Sequence, residues 1–255
     1  MSQVLKDEVA IITGAGRGLG KAFALKFANA GAKLLLPDIS LERAEIVAKE
    51  IRSNGGNAIA METDISSENA TKKMAEKVME QYGRVDILLN NAAMMHGIQR
   101  RPWDSLTVEE WDQMFAVNVR GTWLCSKAIA PTMIKQGRGK IINISSTIMH
   151  SPGGHLLFHY ACSKAAVKTM VQLLARELGP HGINVNAIAP GFTHTEAVMS
   201  QIDAEAAFER IVAGQCIKRR EEPQDLVGTA VFLASKDSDF ITGQFIVVDG
   251  GNWLR

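Results

Sequence analysis

Tyr160 and Lys164 stand four residues apart in a stretch that reads as helix, so both side chains fall on one face. A free phenol titrates near ~10, too high for a good base at neutral pH. An ammonium beside it stabilises the phenolate and is expected to lower that value. A phenol tuned in this way can take the proton from an alcohol or give one to a ketone. The chain has two tyrosines, and the other, Tyr82, has no lysine four positions on. Tyr-x-x-x-Lys alone is a common pair, and a helix-capping aromatic would explain Tyr160 equally well. Ser146 changes that balance. It follows Asn143-Ile144-Ser145 at the end of an apolar run, 14 positions before Tyr160. A loop can bring its hydroxyl to the same substrate oxygen, to hold and polarise it. Ordinary turn chemistry is the competing reading for Ser145 and Ser146.

A second group of residues could hold a dinucleotide. Thr13-Gly14-Ala15-Gly16-Arg17-Gly18-Leu19-Gly20 sits between an apolar run and an amphipathic stretch. Glycines there let the backbone turn tightly beside a pyrophosphate, and a helix N-terminus offers it unpaired N–H groups. Loops need glycine for other reasons, so the informative part is the context of strand before and helix after. Asp38 ends the second strand, 18 positions past Gly20. An unpaired carboxylate there accepts from the adenosine ribose hydroxyls and repels a 2′-phosphate, which favours NAD over NADP. A helix N-terminal acid is the structural alternative for Asp38. Arg17 pulls the other way, because a cation in the turn can meet a 2′-phosphate.

Hydrophobic periodicity supplies the elements that must position these groups. Residues 9–12, 33–37, 58–61, 85–89, 140–144, 183–188 and 244–248 read as strands. Helical patterns at 18–30, 40–54, 68–82, 108–135, 160–178 and 223–234 alternate with them. Pro131 predicts a kink or boundary in the longest stretch. The alternation implies parallel strands, and unbroken apolar runs imply a sheet covered on both faces. The expectation is an α/β fold: a doubly wound, Rossmann-type parallel sheet of about seven strands with helices on both faces. No linker or repeat divides the chain, so 1–255 is read as a single dinucleotide-binding catalytic domain. The stretch 191–222 is too long for a plain connection and predicts a helical substrate lid.

Composition narrows the classes. The 255 residues are 46% hydrophobic and 22% charged, with a net charge of +1. That suits one sizeable core and gives no basic bias toward nucleic acid. No apolar run is long enough to span a membrane, and the polar start shows no signal peptide. Three cysteines without a CxxC suggest neither a disulfide framework nor a zinc knuckle, and point to a reducing, cytoplasmic setting. His155 and His159 have zinc-like spacing but no third ligand cluster, so no metal is expected. A Gly-x-Ser-x-Gly elbow is absent, which argues against a serine hydrolase.

Taken in order, these pieces resemble the short-chain dehydrogenase/reductase family over essentially the whole chain. The motifs are Thr13-Gly14-x-x-x-Gly18-x-Gly20, Asp64, Asn90-Asn91-Ala92-Ala93, Asn118, Ser146, Tyr160-x-x-x-Lys164, Pro190-Gly191, and Gly243-Gln244 to Asp249-Gly250-Gly251. The resemblance implies a catalytic set of Asn118, Ser146, Tyr160 and Lys164, with Asn118 holding a water that links Lys164 to solvent. It implies a cofactor site formed by Gly14, Arg17, Gly18, Leu19, Gly20, Asp38, Asp64, Ile65, Asn90, Ala92, Tyr160, Lys164, Pro190, Gly191, Thr193 and Thr195. Within it, Asp64 would meet the adenine amino group, and Asn90 would steady the central strand by the adenosine ribose. Lys164 would bind the nicotinamide ribose, and Thr193 or Thr195 the carboxamide. The resemblance also implies a homotetramer. Ala93 departs from the family, which usually has glycine there.

The leading expectation is an NAD-dependent oxidoreductase moving a hydride between a nicotinamide and a secondary alcohol or ketone. The alternative is an NADPH-dependent carbonyl reductase of the 3-oxoacyl thioester type. A non-catalytic dinucleotide-binding scaffold is a third reading, opposed by the complete catalytic set. Met94, His96, Met149, His155 and Phe192 are the candidate substrate contacts, with Met95, His150, Gly153 and Gly154 as further wall. This soft, apolar mixture has no evident anion clamp and points to a hydrophobic or aromatic small-molecule substrate.

Overall fold

Seven parallel strands form one sheet: β1 (Val9–Ile12), β2 (Lys33–Asp38), β3 (Asn57–Glu62), β4 (Ile87–Asn90), β5 (Gly139–Ile144), β6 (Ile183–Pro190) and β7 (Phe245–Val248). Their order is β3-β2-β1-β4-β5-β6-β7. The helices are α1 (Gly18–Asn29), α2 (Leu41–Ser53), α3 (Glu68–Tyr82), α4 (Val108–Phe115), α5 (Thr122–Gln136), α6 (Phe158–Leu178), α7 (Glu196–Met199), α8 (Ala204–Gly214) and α9 (Pro223–Ala234). This computed structural model describes residues 3–201 and 203–254. Ile202 of the expected lid, and Met1, Ser2 and Arg255 of the expected domain, lie outside the described residues.

Side chains leave a strand to alternate faces, and both faces are apolar here. Ala10 and Ile12 of β1, with Leu34 and Leu36 of β2, pack against Phe23, Phe27, Val47, Ile51, Leu226 and Ala230 from α1, α2 and α9. Val9, Ile11, Leu35 and Leu88 face the opposite way, toward Met74, Val78, Cys125, Ile129, Met133 and Val171 from α3, α5 and α6. Burying each such large aliphatic or aromatic side chain stabilises the fold by roughly 1.5–3 kcal/mol. Strands covered twice must read as continuous apolar runs, which is why the doubly wound sheet was legible in the sequence. The order in which successive strands are added changes direction at the β1/β4 pair, although the strands stay parallel. The carboxyl ends of those strands therefore open the crevice where such sheets bind ligands.

The predicted helical stretch 108–135 breaks in a different place from the one expected. A π-helical turn at Ala116–Gly121 separates α4 from α5, while Pro131 lies inside α5. Pro131 is exposed, so the carbonyl it leaves without a donor can turn to water, and the buried Ile129 and Met133 hold the helix to the sheet. The π-turn inserts extra backbone and re-aims the side chains on it, Asn118 among them.

Candidate active site

Helix α6 carries Tyr160 and Lys164 across the carboxyl end of β5. Two hydrogen bonds pin helix to strand: Lys164 Nζ donates to the Ile144 carbonyl at 2.8 Å, and Ser145 Oγ donates to the Lys164 carbonyl at 2.8 Å. Lys164 is 3% exposed, and its ammonium lies 5.6 Å from the centre of the Tyr160 ring. Tyr160, like Met94, Met95 and Ile148, packs against the buried cluster of Ile98, Met114 and Leu157. Ser146 is buried and its hydroxyl accepts from the Ile148 N–H at 3.1 Å.

Burial dominates both groups: it raises Tyr160 above its usual range and lowers Lys164 to about 8. Desolvation penalises the charged form of both groups, and one Lys164 N–H is directed at the Ile144 carbonyl. At neutral pH Tyr160 is therefore a protonated acid. Tyr82 is structural: its hydroxyl donates toward the Leu34 carbonyl at 3.1 Å and lies 2.8 Å from Asn57 Oδ1.

Asn118 reaches inward from the π-turn. Its Oδ1 accepts the Met94 N–H at 2.8 Å, and its Nδ2 lies 3.0 Å from Ser163 Oγ, which donates to the Tyr160 carbonyl at 2.7 Å. It thus ties the loop after β4 to the helix carrying Tyr160.

The glycine turn before α1 leaves no room for a side chain at Gly14, Gly16 or Gly20. At Gly20 a Cβ would lie 2.0 Å from the Gly14 carbonyl oxygen, so a side chain cannot be accommodated. Gly18 has φ +52°. Arg17, at the N-cap of α1, makes no side-chain cap bond, which leaves the first N–H groups of that helix for an anion. Thr13 Oγ1 accepts from the N–H groups of Asn91 and Ala92, and Asn91 Nδ2 donates to the Thr13 and Gly14 carbonyls, locking the turn to β4. Asp38 is 5% exposed; its carboxylate accepts from Gly16 N–H and Ser40 N–H, both at 2.9 Å. Sequence reasoning treated Asp38 as unpaired. In the fold the Arg43 guanidinium lies 3.2 Å away, brought round by the first turn of α2. The glycine cradle, the open helix end and the buried acid fit a dinucleotide. Its nicotinamide would supply the hydride acceptor or donor.

One cavity of about 930 Å³ joins these groups. Gly14, Arg17, Gly18, Leu19, Gly20, Asp38, Asp64, Ile65, Ala92, Pro190, Gly191, Thr193 and Thr195 line it, as do Ser146, Tyr160, Lys164, Met94, His96 and Phe192. Five expected residues do not: Asn90, Asn118, Met149, Gly154 and His155. Asn90 lies behind the wall, donating to Asn143 Oδ1 at 2.9 Å and to Ser126 Oγ at 3.2 Å, and Asn118 is buried in the bridge described above. Met149 and His155 sit on 3₁₀ segments, Ile148–His150 and Pro152–Leu157, where neighbouring side chains point apart. Ile148, His150, Leu156 and Leu157 face the cavity instead. Sequence reasoning missed Arg43, Arg100, Arg210 and Trp253, all of which line it. Trp253 arrives because Asp249 accepts three N–H groups, from Gly251, Asn252 and Trp253 itself, and so turns the chain back. The indole then stacks on His150 with centroids 3.8 Å apart. Among the described residues no three His, Cys, Asp or Glu side chains group as metal ligands, and no helix is long and apolar enough to cross a membrane.

A doubly wound sheet with a glycine cradle, a buried acid at the end of β2 and a Tyr/Lys pair in one cavity suits a nicotinamide-dependent oxidoreductase. Comparison with known proteins agrees. A family profile described as enoyl-(acyl carrier protein) reductase matches residues 14–252. Galactitol 2-dehydrogenase of Agrobacterium fabrum is 40% identical over 98% of this chain and 99% of its own length. The 3-oxoacyl-(acyl-carrier-protein) reductase of Thermotoga maritima is 38% identical over 97% and 98%. The crystal structure of a 3-ketoacyl-(acyl-carrier-protein) reductase from Brucella melitensis complexed with NADH superposes with a TM-score of 0.89 at 33% identity, covering 98% of this chain and all of that one. The chain belongs to the short-chain dehydrogenase/reductase family. It is an oxidoreductase that transfers a hydride between a nicotinamide cofactor and an alcohol or ketone carbon.

Proposed function

We propose that the chain is an NAD-linked dehydrogenase of a hydrophobic or aromatic secondary alcohol. The observation that carries this reading is the single cavity in which buried Lys164 backs Tyr160 while Asp38 closes the far end. Tyr160 is the acid/base at the substrate oxygen, and Ser146 holds that oxygen. Lys164 orients the nicotinamide ribose and favours the phenolate when an alcohol gives up its proton. Asn118 fixes the bridge behind them. Gly14, Gly18, Leu19 and Gly20 hold the pyrophosphate; Asp64 and Ile65 hold the adenine; Pro190, Gly191, Thr193 and Thr195 hold the carboxamide end. Residues 191–222, with α7 and α8, form a lid over a single catalytic domain.

Arg43 and Arg17 support a second reading, NADPH-linked carbonyl reduction of the 3-oxoacyl thioester type. A guanidinium already paired with Asp38 can swing to a 2′-phosphate and offset the carboxylate's repulsion. Asp38 nonetheless keeps two backbone N–H bonds, from Gly16 and Ser40, and its fixed buried carboxylate supports the NAD reading. The test is a panel of secondary alcohols and ketones with NAD and NADP, read by nicotinamide absorbance. Turnover with NAD at higher kcat/KM than with NADP is expected; turnover confined to NADP overturns the cofactor assignment.

The family resemblance and the exposed apolar side chains of α5 and α6, among them Trp123, Phe158 and Leu173, support a homotetramer. Three unpaired cysteines support a cytoplasmic setting. Light scattering on the purified protein checks the assembly.

A further inference from the structure

We propose that Arg100 is a carboxylate clamp, so that the substrate is an acid whose alcohol or ketone carbon lies on an apolar body. The proposal rests on the hydride-transfer reading of this cavity and adds the charge of its substrate.

Arg100 and Arg101 are adjacent but face different fates. Arg101 is consumed by a surface ion pair with Glu110, while its N–H is tied to the Leu156 carbonyl at 2.9 Å. That tether turns Arg100 into the cavity, where its side chain is only 16% exposed. Its guanidinium lies 5.7 Å from the centre of the Phe192 ring, two residues past Pro190. Its polar contacts among the described residues both use Nε: Gln201 Oε1 at 3.3 Å and Asp203 Oδ1 at 3.7 Å. The two terminal NH₂ groups have no protein hydrogen-bond acceptor there.

A guanidinium fork whose Nε is bonded and whose two NH₂ groups face a cavity beside the Phe192 ring can receive two oxygens in one plane. Charge selects the class of anion. Arg210 of α8 also lines the cavity and lies 3.6 Å from Asp203, so two guanidiniums share one carboxylate and leave one positive charge. A carboxylate balances it, whereas a phosphate monoester overshoots. Glu196, the other lid acid on the cavity, lies at the far end beside Gly18 and does not quench Arg100. The apolar body would rest on Met94, Met95 and the His150–Trp253 stack.

The test uses the full chain saturated with NAD, where a ketone binds without reacting. Calorimetric titration compares aryl keto acids of increasing chain length, their primary amides, and matching aryl ketones bearing a phosphate monoester. At least one acid is expected to bind about tenfold or more tightly than its amide, a difference of about 1.4 kcal/mol, and more tightly than the phosphate. Arg100→Gln is expected to abolish the preference and Arg100→Lys to restore part of it, with NAD affinity in both variants reporting the fold. Acids binding no better than amides, a stronger phosphate, or a preference that survives Arg100→Gln overturns the clamp. If the acids bind no better than the amides, but the amides are reduced with NADH and Tyr160→Phe stops that reduction, hydride transfer stands while the clamp falls. If NAD itself does not bind, both fall.

Discussion

Lys164 spends a proton on the Ile144 carbonyl, 2.8 Å away at the last residue of β5. The bond keeps a buried amine beside the Ser145-Ser146 corner and leaves the phenol of Tyr160 to burial alone. It also makes the lysine's charge a pH-dependent load on the fold.

Burial lowers Lys164 to about 8, against about 10.4 for an unfolded lysine. Between those values the unfolded chain holds a proton that the folded chain has lost, so stability rises with pH across that window. Lys164→Met removes the load. Its stability relative to the parent is expected to be most favourable near about pH 7 and to decline toward about pH 10, by up to a few kcal/mol at about 1.4 kcal/mol per unit. Urea midpoints at several pH values measure this. A difference that does not change with pH contradicts the buried ammonium.

Glu221 gives the opposite sign. Its carboxylate accepts from Thr193 Oγ1 at 2.6 Å and Gly191 N–H at 3.1 Å, and burial raises it to about 7 despite those bonds. Its stabilising effect is whole below the unfolded value of about 4.3 and is lost as pH rises through about 7. Glu221→Gln mimics the protonated acid. It is expected to raise the melting temperature at about pH 8 and to leave it nearly unchanged at about pH 5. An equal shift at both would show that the charge of Glu221 is not the cause.

Asp38 and Arg43 are expected to set cofactor choice between them. Asp38→Ala is expected to weaken NAD by about tenfold or more, the scale of a lost hydrogen bond to a charged group, and to narrow the gap to NADP. Arg43→Ala is expected to widen that gap. Fluorescence titration with both cofactors decides it; an unchanged ratio in the two variants removes the pair from cofactor selection.

What the sequence conveyed depended on the range of the interaction. Strands were legible because double burial writes itself as unbroken apolar runs such as Leu34-Leu35-Leu36. The cradle was legible because Gly20 has no room for a side chain and sits at a fixed offset from β1. The π-turn at Asn118 left no periodic trace, since one inserted turn looks like ordinary helix. Arg43 was hidden for another reason: pairing with Asp38 depends on how α2 leaves β2, not on spacing alone. Trp253 and Arg100 come to the cavity from segments about 150 residues apart, through the Asp249 turn and the Arg101–Leu156 bond. Met149 and His155 were misplaced because 3₁₀ geometry decides which side chain of a short loop turns inward.

Asn118 bridges Met94 and Ser163 while wholly buried. Asn118→Ala strands both partners and is expected to lower stability by about 1–3 kcal/mol. Turnover is expected to fall more than cofactor affinity, because the bridge ends on the helix that carries Tyr160. Paired denaturation and kinetic measurements check both. A variant of lower stability with unaltered kcat would confine Asn118 to folding.

The central claim is that the Tyr160 hydroxyl exchanges the substrate proton. Turnover of an accepted secondary alcohol by the parent chain and by Tyr160→Phe, followed by nicotinamide absorbance with NAD binding measured alongside, tests it most directly. The account predicts that kcat falls by about 10² or more while NAD affinity is retained. Near-parental kcat in Tyr160→Phe would contradict it.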